Sequence, residues 1–231
     1  MKMEIVGCIS TFEAEKTLGR TLESIRDLVD RVIIVDGSWE GFADYPASKD
    51  GTLAVAEAYD KPKTIIANVG AGGAAPYRNE MEKRNKYLDS ELLHEGDWIL
   101  YIDDDEYATQ GMSQTRKFLE ESTLTHHTAV VWRKTGEGQW SRTGEYVRCI
   151  RYVAGMKYGM HPWIVELPNG SSIPMTGILS PLHIAHDPSS KPKEYLEMKE
   201  TAKASGNFGN AGKVRTVKRK RKTASSQPEV A

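Results

Sequence analysis

Short apolar runs alternate with helix-spaced apolar positions through the first half of the chain. EIVGCIS (4–10) and RVIIVDG (31–37) are continuous apolar runs, the mark of strands buried on both faces. Between them Leu18, Leu22, Ile25 and Val29 repeat at intervals of four, three and four, which defines one face of an amphipathic helix. TLAVAEAYD (52–60) predicts a second helix and KTIIANV (63–69) a third strand. From Tyr77 to Leu93 the positions Tyr77, Met81, Leu88 and Leu92 share a helical face. DWILYID (97–103) then predicts a fourth strand and TAVVWRK (128–134) a fifth. Strand–helix–strand alternation with buried strands predicts an α/β fold with a mostly parallel central sheet flanked by helices.

After residue 134 the texture changes. Gly, turn residues and short β-prone runs replace helical periodicity, predicting antiparallel strands and loops added to the parallel core. SSKPKEYLEMKETAKAS (189–205) returns to helix behind a Ser–Pro boundary. From about residue 206 Gly, Asn, Lys and Ser dominate, and disorder is expected. The length suits a single domain over 1–205, with halves at 1–110 and 111–205, followed by a basic tail at 206–231.

Composition narrows the class. The hydrophobic share of 39% and charged share of 27% are those of a soluble globular protein. The net charge of −1 hides an asymmetry: KVRTVKRKRKTASSQPEVA carries seven Lys/Arg against one Glu, so the rest of the chain stands at −7. An acidic body argues against nucleic acid as the main ligand, because that binding neutralises phosphates with a basic surface. The tail suits a solvated segment, anionic lipid headgroups at ~1 kcal/mol per charge, or a nuclear-import or nucleic-acid contact. Cys8 and Cys149 lie in apolar surroundings without a C-x-x-C pair, so two buried thiols are expected rather than a disulfide. The N-terminus turns polar too soon for a signal peptide, and no apolar run reaches the ~18 residues of a membrane span. A cytoplasmic protein is expected, with peripheral membrane contact through the tail as a further option.

The chemistry concentrates in DWILYIDDDEYAT (97–109), where four apolar residues run into Asp103, Asp104, Asp105 and Glu106. In an open parallel sheet, ligands bind beyond the carboxyl ends of the strands. Asp36 and the four-carboxyl run both fall there. Carboxylate oxygens suit Mg²⁺ or Mn²⁺, which accept phosphate oxygens as remaining ligands. The plainer reading is a solvated turn capping the next helix. Arg84 and Asn85 share the helical line of Met81 and Leu88, so a guanidinium there points at something anionic or snorkels on a half-exposed helix.

These segments, in this order, resemble the family-2-type glycosyltransferases of the GT-A fold. EIVGCISTFEAEKTLGRTLESIRDLVDRVIIVDGS resembles their opening, KDGTLAVAEAY their Asp-Gly-Thr segment, and KRNKYLDSELLHEGDWILYIDDDE their Arg–Asn helix and Asp-x-Asp metal motif. The resemblance covers residues 4–106. It implies a GT-A fold and transfer of a sugar from a nucleotide-diphosphate sugar to a saccharide or lipid-linked acceptor hydroxyl, with inversion. It implies that Asp36 contacts the base and that Thr11 and Glu13 line the same end of the pocket. Arg84 and Asp104 belong to the nucleotide site, Asp103 meets the ribose or the metal, and Asp105 ligates the metal. The segment 39–48 is an insertion longer than the family shows.

For the catalytic base the second half offers KYGMHPWIVELP and LSPLHIAHDP. The resemblance favours Glu166, with Asp187 second and with His161 five residues before Glu166. Alternation places His186 with Leu182 and Ile184, where an imidazole completes the metal's ligands or simply bonds a carbonyl. Trp140, Tyr158 and Trp163 are candidates either for stacking on an acceptor sugar or for the core. Two other classes remain open. One is a nucleotide-binding or tail-driven nucleic-acid-binding module without catalysis. The other is a haloacid-dehalogenase-like phosphatase, whose Asp-x-Asp normally sits on the first strand.

Overall fold

A computed structural model describes residues 3–69, 75–159, 164–191 and 193–204. The basic tail, His161 and Trp163 lie outside the described residues. The elements run β1 (Ile5–Thr11), α1 (Leu18–Ser24), β2 (Arg31–Asp36), α2 (Thr52–Ala58), β3 (Lys63–Ala67), α3 (Glu80–Leu88) and β4 (Trp98–Asp103). They continue as β5 (Glu106–Gln110), α4 (Met112–Glu121), β6 (His126–Gly136), β7 (Gln139–Arg151), β8 (Lys157–Tyr158), β9 (Val165–Glu166), β10 (Ile178–His186) and α5 (Lys193–Ala204).

The architecture is the expected α/β arrangement. Eight strands form one sheet in the order β3-β2-β1-β4-β7-β6-β10-β5, and β8-β9 form a small antiparallel pair. The four strands β3, β2, β1 and β4 are parallel to one another. Then β7 enters antiparallel between β4 and β6, β10 lies parallel to β6, and β5 closes the edge antiparallel to β10. The second half therefore extends the first half's sheet rather than forming a separate layer.

Residue alternation divides the core between the two faces of this sheet. Val6, Cys8, Ile33, Val35, Ile99 and Tyr101 face α3 and the aromatic residues after β2. Ile5, Ile9, Ile34, Leu100 and Ile102 face α1 and α4. Trp98 is wholly buried on the latter face and donates its indole N–H to the Leu119 carbonyl (3.0 Å), which fixes α4 against β4. Cys8 and Cys149 are both buried, free and on opposite faces. Burial pushes the Cys149 thiol up to about 12 and raises Cys8 further, so both are unreactive. Among the described residues no helix is long and apolar enough to cross a membrane.

Two elements escape the hydrophobic pattern, one ends early and one starts late. α4, MSQTRKFLEE, buries only Thr115 and Leu119, too sparse a stripe to signal a helix, and β5 is a short edge strand. α1 ends at Ser24, yet Ile25 and Val29 stay buried in the turns that follow. α3 starts at Glu80, because the Asn79 side chain accepts the Glu82 amide (2.8 Å) and caps the helix there.

Gly111 opens α4 with φ +86°, and a Cβ there would overlap the backbone of Pro181 in β10. Gly96 has a similar φ of +90° in open space. Gly96→Ala should therefore cost about 1 kcal/mol of stability. Gly111→Ala should cost at least about 3 kcal/mol. Urea denaturation of the two variants separates backbone strain from steric overlap.

Candidate functional site

Parallel pairing of β1 with β2 and β4 places Thr11 beside Asp36 and Ser10 beside Asp103. The order 3-2-1-4 makes β1/β4 the point where the chain's winding reverses, the place where such sheets open a crevice. Asp104 and Asp105 form the two-residue turn between β4 and β5, so the four carboxyls leave the backbone in different directions.

Each of the four meets a cationic or imidazole side chain. Asp103 accepts from the Arg84 guanidinium of α3 (2.7 Å), and Arg84 also holds Glu80 (2.9 Å). Asp104 reaches toward β1, accepting from the Thr11 hydroxyl (2.9 Å) and the Phe12 amide (3.0 Å), and it pairs with Lys191 (2.7 Å). Asp105 faces His186 at the end of β10 (3.4 Å). Glu106 pairs with Arg148 (2.6 Å), both side chains buried, and its other oxygen accepts the Asp103 amide (3.1 Å). Arg148 reaches the motif because β7 carries an extra residue opposite His127 and Thr128, a bulge that re-aims the strand. The Thr21 hydroxyl of α1 donates to the Glu106 carbonyl (2.6 Å) and ties the turn to the opposite layer.

Burial and charge compete at every one of these groups. Burial opposes ionisation of Asp103, but Arg84 and Arg148 together outweigh it and hold its pKa well below the carboxylate range. Burial likewise opposes the charge on Asp105, and the bond to His186 wins, so its pKa falls. His186 is the mirror case: burial disfavours its charge, but Asp105 keeps its pKa above the ordinary imidazole value. For Glu106 burial wins over Arg148 and the pKa rises.

The sequence-predicted residues divide into three groups. Thr11, Arg84, Asp103, Asp104, Asp105 and His186 converge on the turn. Asp36 and Glu13 lie at the same end of the sheet, engaged with the insertion. Asp36 is fully buried and accepts the Ser48 amide (2.9 Å) and hydroxyl (2.5 Å). Glu13, with φ +50°, accepts the Lys49 amide (2.8 Å). The base candidates stand apart. Glu166 lies on β9 with Lys157 at 3.8 Å and no bond to the acidic turn. Asp187 reaches the turn by its backbone, donating its amide to the Asp105 carbonyl (3.1 Å). Its carboxylate is held by Lys134 (3.0 Å) and Ser189 (2.5 Å), with Arg20 at 3.9 Å. Tyr158 is core, its hydroxyl bonded to Tyr87 (3.0 Å), whereas Trp140 is 38% exposed against Tyr107.

Lys83, Arg148 and Lys191 were not legible as site residues. Lys83 donates to the Thr11 carbonyl (2.7 Å), and burial lowers its pKa to about 8 against the pull of Asp36 and Asp104. A lysine directly before Arg84 was the available signal for Lys83, and an arginine inside the β-run EYVRCIRY the signal for Arg148. Nothing near Lys191 marked it.

Among the described residues no group of three or more His, Cys, Asp or Glu side chains is placed to hold an ion. Asp105 and His186 nonetheless offer two donors 3.4 Å apart. Two ligands each ~2.1 Å from one ion at a right angle lie ~3 Å apart, and Mg²⁺ or Mn²⁺ commonly takes its other ligands from water and phosphate. Asp103, its side chain 26% exposed, is not placed to join that pair as a third ligand, so water and phosphate would have to supply the rest. The imidazole favours Mn²⁺ over Mg²⁺.

No protein-family profile and no curated protein matches the chain. Among solved structures, the chain is similar to glucosyl-3-phosphoglycerate synthase from Mycobacterium tuberculosis, in complex with Mn²⁺, uridine diphosphate and glucosyl-3-phosphoglycerate. The identity is 16% and the TM-score 0.37, over 58% of this chain and 46% of that one. The match thus spans less than half of that protein's length.

Removing one member of a buried ion pair costs about 3–5 kcal/mol, whereas replacing both with apolar groups is often neutral. Asp104→Ala should therefore destabilise the fold by that amount, and adding Lys191→Met should recover most of it, as read by urea denaturation. Lys83 makes a pH-dependent contribution of opposite sign to an ordinary salt bridge. Its folded pKa of about 8 lies below the unfolded value, so the charged form is disfavoured by folding and stability rises with pH above 8. Lys83→Met should abolish that rise, as measured by denaturation midpoints between pH 7 and about 10.

Proposed function

We propose that this protein is a metal-dependent glycosyltransferase of the GT-A type, with residues 1–205 as its domain and 206–231 as a basic tail. It would move a sugar from a nucleotide-diphosphate sugar to a saccharide or lipid-linked acceptor hydroxyl, with inversion. The observation that carries this reading is the Asp105–His186 pair, formed where the turn that follows Asp103 at the carboxyl end of β4 meets the carboxyl end of β10.

In this reading Asp105 and His186 hold Mn²⁺ or Mg²⁺, and Asp103 meets the ribose. The ion supplies charge neutralisation for the diphosphate leaving group. Arg84 fixes the Asp103 carboxylate and adds positive charge on the same side. Thr11, Glu13 and Asp36 take the base end of the nucleotide, and Asp104 braces Thr11 and Phe12 beneath it. Glu166 is a better base than Asp187. Its carboxylate has one lysine at 3.8 Å, while Asp187 is lowered from the ordinary carboxylate value: Ser189 and Lys134 overcome the opposing effect of burial. The tail would bring the domain to a membrane bearing a lipid-linked acceptor.

A second reading has its own support. With every carboxylate facing a cationic or imidazole side chain, the turn also serves as an ionic joint that needs no ligand. Calorimetric titration with UDP and with GDP, each with and without Mn²⁺, decides between them. Micromolar binding that requires the metal and falls at least about tenfold in Asp105→Ala supports the transferase. Failure of both nucleotides to bind folded protein leaves the joint as the turn's only role.

A further inference from the structure

The end of the sheet beyond β1, β2 and β4 is covered by two segments from well-separated parts of the chain. The first is the insertion after β2, at 38–50. Ser38 donates its amide to the Pro46 carbonyl (3.0 Å), and Ser48 takes both oxygens of Asp36. The second is the chain leaving β10. There Asp187 donates its amide to Asp105, and Lys191 reaches Asp104 (2.7 Å) and the Phe12 carbonyl (3.3 Å). The two segments meet edge to face at Phe42 and Tyr195, with ring centroids 5.1 Å apart. Beneath them Asp36 is 0% and Asp104 5% exposed, at the end of the sheet where an α/β protein takes its ligand.

We propose that the two segments form a clasp over this end of the sheet, which parts as one unit to admit a nucleotide. The ligand's identity rests on the glycosyltransferase reading, but the coupled opening does not. Ser48 presents an N–H and an O–H to one carboxylate, so it occupies the donor positions that an incoming base edge would fill. Parting the clasp breaks those two bonds, the bond from the Glu13 amide to the Ser48 hydroxyl (2.8 Å) and the bond from the Lys49 amide to the Glu13 carboxylate (2.8 Å), and frees Asp104 from Lys191. A nucleotide that binds only the open form has its apparent affinity reduced by the fraction of molecules that are open.

Two measurements test this, on the full chain. The first is hydrogen exchange of the Ser38 and Ser48 amides in one arm and the Asp187 amide in the other. In the wild type all three should exchange by a shared opening, at lower free energy than the core amides of β1 and β4. Phe42→Ala should speed all three by at least about tenfold more than it speeds the core amides of β1 and β4, which also feel the loss because the ring packs on Phe12 and Trp39. A change confined to the insertion, or exchange of both arms only through global unfolding, overturns the clasp. The second is titration with UDP and GDP in the presence of Mn²⁺, using Phe42→Ala and the milder Ser48→Ala. Binding roughly threefold or more tighter than wild type supports the gate, and equal or weaker binding in both variants overturns it. If wild type and variants bind neither nucleotide while the three amides still open together, the glycosyltransferase reading falls and the clasp stands.

Discussion

Four consecutive carboxyls can occupy one buried turn only because four basic side chains come to meet them. Removing a charge from water costs several kcal/mol unless a partner replaces the lost hydration. Here the partners arrive from four places: Arg84 from α3, Lys191 from beyond β10, His186 from the end of β10 and Arg148 from β7. The turn therefore dictates where those elements sit. α3 must present its arginine over β4, β7 must bulge to deliver Arg148, and the chain after β10 must return across β1 to bring Lys191 home.

The four pairs are not equivalent in how far they are withdrawn from water. Glu106–Arg148 is sealed, with both side chains 3% exposed, and Asp104–Lys191 is nearly so. Asp105–His186 is longer, and its imidazole is 24% exposed. The pairs thus divide into two that are sealed and two with one partner part-exposed, Asp103 at 26% against Arg84 and His186 at 24% against Asp105.

Most of the sheet was legible because buried parallel strands leave continuous apolar runs, and β1 to β4 lie within one or two residues of their expected ends. That Asp103 to Glu106 need partners was legible too, because four carboxyls after a buried strand are costly unless paired or bound. What stayed hidden was every contact made across a long stretch of sequence. Lys191 meets Asp104 across 87 positions, and no periodicity links them. Arg148 depends on a one-residue bulge, and a strand's alternation pattern cannot announce its own exception. α4 was missed because Thr115 and Leu119 are too few to draw a stripe.

The insertion of β7 between β4 and β6 bears on how this chain can be taken apart. Its antiparallel pairing covers the edge of β4, and its arginine neutralises Glu106. The segments before and after residue 110 look like two modules in sequence, one carrying the acidic motif and one carrying the later strands. They share one sheet and one set of charges. A fragment ending at 110 would expose a long apolar strand edge and leave the acidic turn without Arg148, His186 and Lys191, two conditions that oppose independent folding. The halves are thus not interchangeable parts: neither can be transplanted or varied without the other.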